Sequence, residues 1–143
     1  MNLLSSGIYL APEHWKQMEA DAITRSPEEA CGLVAGKGDK SRLIIPVTNI
    51  LHDAFKFRLD PKEELKAFLF AEDKGLDILA VYHSHPYGID HPSPTDIDEL
   101  TFPGIIYLIW YQNAADWTCR GYLMQDRSQV SEVPVIVIPG TQL

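Results

Sequence analysis

The sequence predicts one α/β domain spanning residues 1–143: a curved, mostly mixed β-sheet flanked by helices. Three observations predict it. Apolar runs of strand length interleave with helical patterns. A Gly-rich turn at Gly36-Lys37-Gly38-Asp39 implies antiparallel pairing within an otherwise alternating order. Finally, the 143 residues contain no repeat, low-complexity tract or linker that would divide them, and they suffice to bury a sizeable core.

Taken in order, Ile8-Tyr9-Leu10 reads as a short first strand. Pro12 opens a helix to about Arg25, with Ala11, Trp15, Met18 and Ala22 on one face. Pro27 separates it from the apolar strand Ala30 to Ala35, and the turn leads into a second strand, Ser41 to Val47. Phe55-Lys56-Phe57-Arg58-Leu59 alternates apolar and polar residues, which predicts a half-buried strand. Asp60-Pro61-Lys62-Glu63 is a helix start: Asp60 caps, Pro61 takes the first helical position and Glu63 completes a capping box. This helix is expected to turn Leu65, Phe68 and Leu69 inward and to stop near Gly75. Asp77 to Tyr82 is a buried strand that runs into His83 and is ended by Pro86. Pro94 to about Leu100 reads as a short helix, then Ile105 to Trp110 and Trp117 to Met124 as strands. Val133 to Ile138 is the last strand, with Pro134 marking an edge or a strand start. Trp15, Trp110 and Trp117 are expected to pack in the core or on the sheet, and His14 and His52 to lie on the surface.

Composition bounds the function. Apolar residues make up 45% and charged residues 22%, as in soluble globular proteins. The net charge of −8, without a Lys/Arg run, argues against nucleic acid as a partner. Met1 to Ser6 lacks the basic and apolar regions of a signal peptide. The longest apolar run, Ile105 to Tyr111, is far too short to cross a membrane. Cys31 and Cys119 are far apart with no CxxC spacing, so the plain reading is two free thiols in a reducing cytoplasm; a disulfide between them stays open.

The chemistry concentrates in His83-Ser84-His85, followed by Ser93 and Asp96. On a strand, residues i and i+2 share a face, so the two imidazoles converge while Ser84 faces away. Two imidazoles and a carboxylate with a fourth position open is the donor set of catalytic zinc. Such a metal lowers the pKa of its bound water towards ~7. Ser93-Pro94-Thr95-Asp96 is equally well read as a plain helix start, with Ser93 as cap and Asp96 in the first turn. His91 is an alternative partner for His83. A carboxylate outside the ligand set must still move the proton; Glu28, Glu29, Asp98 and Glu99 are the candidates. Two histidines and a carboxylate also suit Fe(II), and Cys31 with a histidine would make a thiol hydrolase. A zinc nucleobase deaminase is disfavoured because its H-x-E and P-C-x-x-C signatures are missing.

These residues resemble the JAMM metallopeptidases, also called MPN-plus domains. That family's motif is an upstream glutamate, then His-x-His, seven residues, Ser, two residues, Asp. Here it reads Glu29, His83-Ser84-His85, Pro86 to Pro92, and Ser93-Pro94-Thr95-Asp96. Glu29-Ala30-Cys31-Gly32-Leu33-Val34-Ala35-Gly36 matches the family's strand entry and selects Glu29 over Glu28. Similarity extends to Asn49 and to Phe57 through Pro61, and the size is that of single-domain bacterial and archaeal members. The resemblance implies a JAMM/MPN fold with cytidine-deaminase-like layering. It implies zinc held by His83, His85 and Asp96, with Glu29 deprotonating the zinc-bound water and Ser93 donating to the oxyanion. It also implies cleavage after the Gly-Gly tail of a ubiquitin-like or MoaD/ThiS-like sulfur-carrier protein. The tail is expected to add to a strand edge between Asn49 and Phe57. A non-catalytic MPN-type binding scaffold is the alternative, although such relatives usually lack one or more ligands. The long insertions of eukaryotic deubiquitinating members are absent. A homodimer is compatible with the sequence, but no interface signature is visible.

Overall fold

The computed structural model describes residues 2–139. A 3-10 turn at Leu3–Ser6 precedes β1 (Ile8–Leu10), α1 (Pro12–Arg25), β2 (Cys31–Lys37) and β3 (Lys40–Val47). Then come α2 (Pro61–Asp73), β4 (Asp77–His85), α3 (Pro94–Asp98), β5 (Ile106–Asn113), β6 (Asp116–Asp126), β7 (Gln129–Val133) and β8 (Val135–Val137). The eight strands form one sheet in the order β7-β6-β5-β4-β2-β3-β1-β8. The β2–β3, β2–β4, β5–β6 and β6–β7 pairs are antiparallel. The β1–β3, β1–β8 and β4–β5 pairs are parallel, so the sheet is mixed as expected.

Both faces of the sheet are covered, which is why β2, β4 and β5 read as nearly continuous apolar runs. On one face, Met18 and Ala22 of α1 pack with Leu10, Tyr82, Leu108 and Trp110. Trp15 meets Trp110 edge to face at 4.6 Å. On the other, Ala67 of α2 packs with Leu33, Val47, Val81 and Tyr107. Among the described residues, no helix is long and apolar enough to cross a membrane.

The structure corrects five sequence expectations. The segment from Phe55 to Leu59 is not a strand, and only an isolated bridge joins Asn49 to Leu59. Its backbone is claimed instead by the Asn49 side chain, so the strand edge expected between Asn49 and Phe57 is not formed. On α2, Leu65 and Leu69 are 60% and 55% exposed, and the buried positions are Ala67 and Ala71. Small residues let the helix axis approach the sheet closely, with Phe68 flanking them. Glu63 does not complete a capping box. Asp60 alone accepts the Lys62 and Glu63 N–H groups. The Glu63 carboxylate reaches across to accept from Thr48 N at 2.8 Å and Thr48 Oγ1 at 2.7 Å, tying α2 to the end of β3. His14 is buried rather than on the surface, since Ser41 Oγ sits 2.6 Å from its Nδ1 and also accepts from Ala11 N. Finally, the single last strand is two. Pro134 divides β7, paired with β6, from β8, paired with β1. The sheet is so curved that one residue joins its opposite edges. Ile8 N donates to Pro134 O at 3.0 Å, and Gly7, at φ +111°, is required because a Cβ there would run into that same oxygen.

Candidate metal centre

The cluster stands where β4 leaves the middle of the sheet. His83 and His85 lie on its last turn of pleat, between β2 on one side and β5 on the other. Ser84 faces away, as the period-2 rule requires. Its Oγ accepts from Ala30 N at 2.7 Å while its own N–H donates to Ala30 O at 3.0 Å. This reciprocal pair fastens the residue after Glu29 to the residue between the histidines. It therefore holds the acid beside them.

Asp96 arrives from α3. Ser93 caps that helix: its Oγ accepts from Asp96 N at 3.0 Å, and Ser93 N donates to Asp96 Oδ2 at 2.8 Å. The same Oδ2 lies 3.1 Å from His83 Nε2 and 3.2 Å from His85 Nε2, and the two Nε2 atoms are 3.1 Å apart. Three donor atoms thus form a nearly equilateral triangle. Tetrahedral bonds of about 2.0–2.1 Å to zinc set ligands roughly 3.3–3.4 Å apart, so the triangle needs to open only slightly.

The proton inventory points the same way. His85 Nδ1 is 2.8 Å from Ile89 O, and a carbonyl can only accept, so Nδ1 carries a hydrogen and Nε2 is the atom the ring can offer a metal. A bare nitrogen facing a carboxylate oxygen at 3.2 Å is repulsive unless a cation or proton lies between them. His83 is buried, and Phe57 stacks on its ring at 4.4 Å with an interplanar angle of 23°. Burial lowers its pKa, opposed by Asp96. Burial pushes the Asp96 carboxyl up, but His83, His85 and the Ser93 N–H outweigh it and hold it well below the usual carboxylate range.

Glu29 completes the group. Its carboxylate and the two imidazoles offer donor atoms that all lie within 4.8 Å of one another. Glu29 Oε1 and His83 Nδ1 are buried without a hydrogen-bond partner among the described residues. Burial first, then the charges of Asp96 and Asp53, raise the Glu29 pKa to about 9. A divalent cation reverses this local logic and favours the carboxylate. The donor set, the facing lone pairs and the orphaned acid all fit a metal ion.

The other sequence candidates fall outside the cluster. Glu28 turns to the exposed His52 at 3.2 Å, and His91 pairs with Asp90 at 3.0 Å. Asp98 and Glu99 follow α3's first turn and are not among the residues grouped around the histidines. Cys31 and Cys119 are free and buried. Burial pushes the Cys31 thiol up to about 12, so it offers no thiolate at neutral pH.

Two features, at positions that the family resemblance covers, have roles that periodicity did not indicate. Asn49, fully buried, donates from Nδ2 to Glu29 O and Lys56 O, both at 3.1 Å. Its Oδ1 accepts from Leu51 N and Arg58 N, also at 3.1 Å. One side chain thereby shapes the loop beside the acid. The second is Phe57, which the alternating pattern placed on a strand and which instead covers His83.

A mixed sheet with this cluster at the end of its central strand defines a class, and the chain belongs to it: residues 11–120 match the Prok-JAB family, prokaryotic homologs of the JAB domain. The chain is 35% identical over 124 residues to the CysO-cysteine peptidase of Mycobacterium tuberculosis, covering 85% of this chain and 84% of that one. It is 34% identical over 119 residues to a probable TtuB-protein conjugate cleaving protease of Thermus thermophilus, covering 82% and 76%. The solution structure of a Desulfitobacterium hafniense protein superposes with a TM-score of 0.82 at 29% identity, covering 92% of each chain.

Proposed function

We propose that the protein is a zinc-dependent cytoplasmic peptidase that cleaves the bond following the C-terminal Gly-Gly tail of a ubiquitin-like or MoaD/ThiS-like sulfur-carrier protein. The observation that carries this reading is the triangle of His83, His85 and Asp96 donor atoms at 3.1–3.2 Å with the unpartnered Glu29 carboxyl beside it. The names of the relatives, a CysO-cysteine peptidase and a TtuB-conjugate protease, support the substrate class.

His83, His85 and Asp96 would hold the ion. Zinc there supplies Lewis acidity, enough to make water a nucleophile near neutral pH. Glu29 takes the proton of the attacking water and returns it to the leaving nitrogen, work typically worth ~10²–10⁴ in rate. Ser93 Oγ already accepts from Asp96 N, so its own hydrogen is available to the oxyanion that develops on the scissile carbonyl. A donor of that kind contributes ~10²–10³. A cavity of about 510 Å³, bounded by Phe57, Arg58, Thr95, Asp96 and Tyr107, runs up to the cluster and offers room for the acyl-side tail.

The test uses a Gly-Gly-ending carrier protein extended by one cysteine. Intact mass should show loss of that single residue. Glu29→Gln should retain one zinc and the fold while cleavage falls by at least ~10². Full activity in Glu29→Gln, or protein that binds no zinc, would refute the reading.

A further inference from the structure

Two cavities adjoin the cluster, and their linings include different members of it. The larger is bounded by Asp96 and does not reach Glu29. The smaller, about 210 Å³, has Glu29, His85 and Ser93 along its floor. Its rim is Phe55 from the loop after β3 and Tyr87 from the loop after β4, whose rings stack at 5.7 Å with an interplanar angle of 30°. Both are strongly exposed, at 71% and 68%, so neither is needed for the core. Exposed aromatics from two separate loops, stacked over an acid without a partner, call for an explanation beyond packing.

We propose that this smaller cavity is the subsite for the residue whose amine is released, and that Phe55 and Tyr87 determine which residue it accepts: a single uncharged side chain of modest size. The inference rests on the function proposed above and adds the leaving-group specificity of that site. Hydrolysis places the water oxygen on the acyl carbon and breaks the C–N bond. One water proton must travel to the departing nitrogen. Glu29 is the proposed carrier, so the nitrogen and its residue leave on the side that Glu29 lines. The acyl segment then occupies the other cavity. Size supports a single residue, since a cavity of ~150 Å³ holds a benzene ring and larger ligands take roughly 300–1,000 Å³. The walls are Ala54, Phe55, Tyr87 and Ile89, with no lysine or arginine lining the space. An acidic leaving residue would face Glu29 unpaired, whereas an aliphatic or thiol side chain fits between the rings.

The experiment compares carrier proteins whose Gly-Gly tail is extended by Ala, Leu or Asp. Wild-type kcat/KM should favour Leu over Ala by at least ~10-fold, the least an apolar pocket gives for one methylene, with Asp poorest. In Phe55→Ala and Tyr87→Ala the Leu/Ala ratio should fall to near one, while Tyr87→Phe, which keeps the ring, should preserve it. An unchanged ratio in both alanine variants overturns the proposal. A second measurement needs no turnover: leucinamide is titrated into wild type and the Phe55 and Tyr87 ring resonances are followed by NMR. Saturable shifts that disappear for Tyr87 in Phe55→Ala support the subsite; unsaturable or absent shifts overturn it. If no extended carrier is cleaved, the proposed activity fails, and the titration still decides the subsite.

Discussion

Asn49→Ala isolates how the acid is positioned. The substitution removes four hydrogen bonds and leaves four backbone groups seeking partners: Glu29 O, Lys56 O, Leu51 N and Arg58 N. Only the bond to Glu29 O is fully buried, and stranding that carbonyl costs ~1–3 kcal/mol; the partly buried three can find water and lose about 0.5 kcal/mol each. The sum is about 3 kcal/mol. For a chain of this length that corresponds to a Tm lower by roughly 10 °C. The proposed zinc ligands do not depend on this loop, because His83 and His85 are held by β4 and Asp96 by the Ser93 cap. Zinc content should therefore stay at one per chain. The carbonyl of Glu29 loses an anchor, and a displacement of its carboxyl by ~1 Å is worth about 10² in rate. The assay is kcat on a cysteine-extended carrier at a temperature where the variant is fully folded, with zinc measured in the same sample. A variant that loses stability as expected but keeps wild-type kcat would show that Asn49 supports the loop without aiming the acid. Loss of zinc would show that the ligand triangle depends on the loop, contrary to the geometry.

Ser93→Ala removes both the cap of α3 and the proposed oxyanion donor. We expect ~1 kcal/mol of lost stability and a kcat lower by ~10²–10³, measured by calorimetry and single-turnover cleavage; Ser93→Asp, which can cap but has no hydrogen to donate, should recover the cap but not the rate. Removing metal with a chelator should leave the fold and lower Tm. Adding zinc back at about a thousandfold over its Kd should restore ~4 kcal/mol, whereas His83→Ala should show no such response in a melting titration. In the metal-free protein, the folded-state pKa of Glu29 lies above its ordinary value of 4.5, at about 9. Its favourable neutral form is fully present below about pH 4.5, and stability falls as pH rises, by about 1.4 kcal/mol per unit up to the folded pKa. Glu29→Gln should remove that slope, so its Tm advantage over metal-free wild type should grow between pH 5 and pH 9; a constant difference would contradict the burial of a neutral acid.

The parts of the site that were legible in the sequence are those governed by short-range geometry. His83 and His85 share a face because a strand repeats every two residues, and no distant contact is needed to know it. For Ser93 and Asp96, two readings competed, a helix cap or a metal-binding acid. The structure shows that they do not exclude each other: Asp96 Oδ2 accepts from Ser93 N while it faces both imidazoles. The cap therefore aims the acid at the imidazoles, and one oxygen serves the cap while standing where the proposed ligand must stand.

What was not legible depended on partners far along the chain or on the absence of bulk. The segment from Phe55 to Leu59 alternates like a strand, yet its shape follows from one buried amide at Asn49, which periodicity cannot register. On α2 the large apolar residues suggested the wrong face, because close approach to the sheet is permitted by Ala67 and Ala71 and not by Leu65 and Leu69. His14 is buried only because Ser41, 27 residues later, supplies its partner. These misses have a common physical origin: each element's local preference was read correctly in kind, but the partner that completed it was non-local. The same holds for the proposed chemistry. Glu29 is 54 residues from His83, and the step that brings them together is the antiparallel pairing of Cys31 with His83 in β2 and β4. A one-residue slip of that register would turn His83 and His85 to the opposite face. The reciprocal bonds between Ala30 and Ser84 oppose such a slip, so Ser84 fixes the register of acid and imidazoles while Asn49 anchors the acid's own carbonyl.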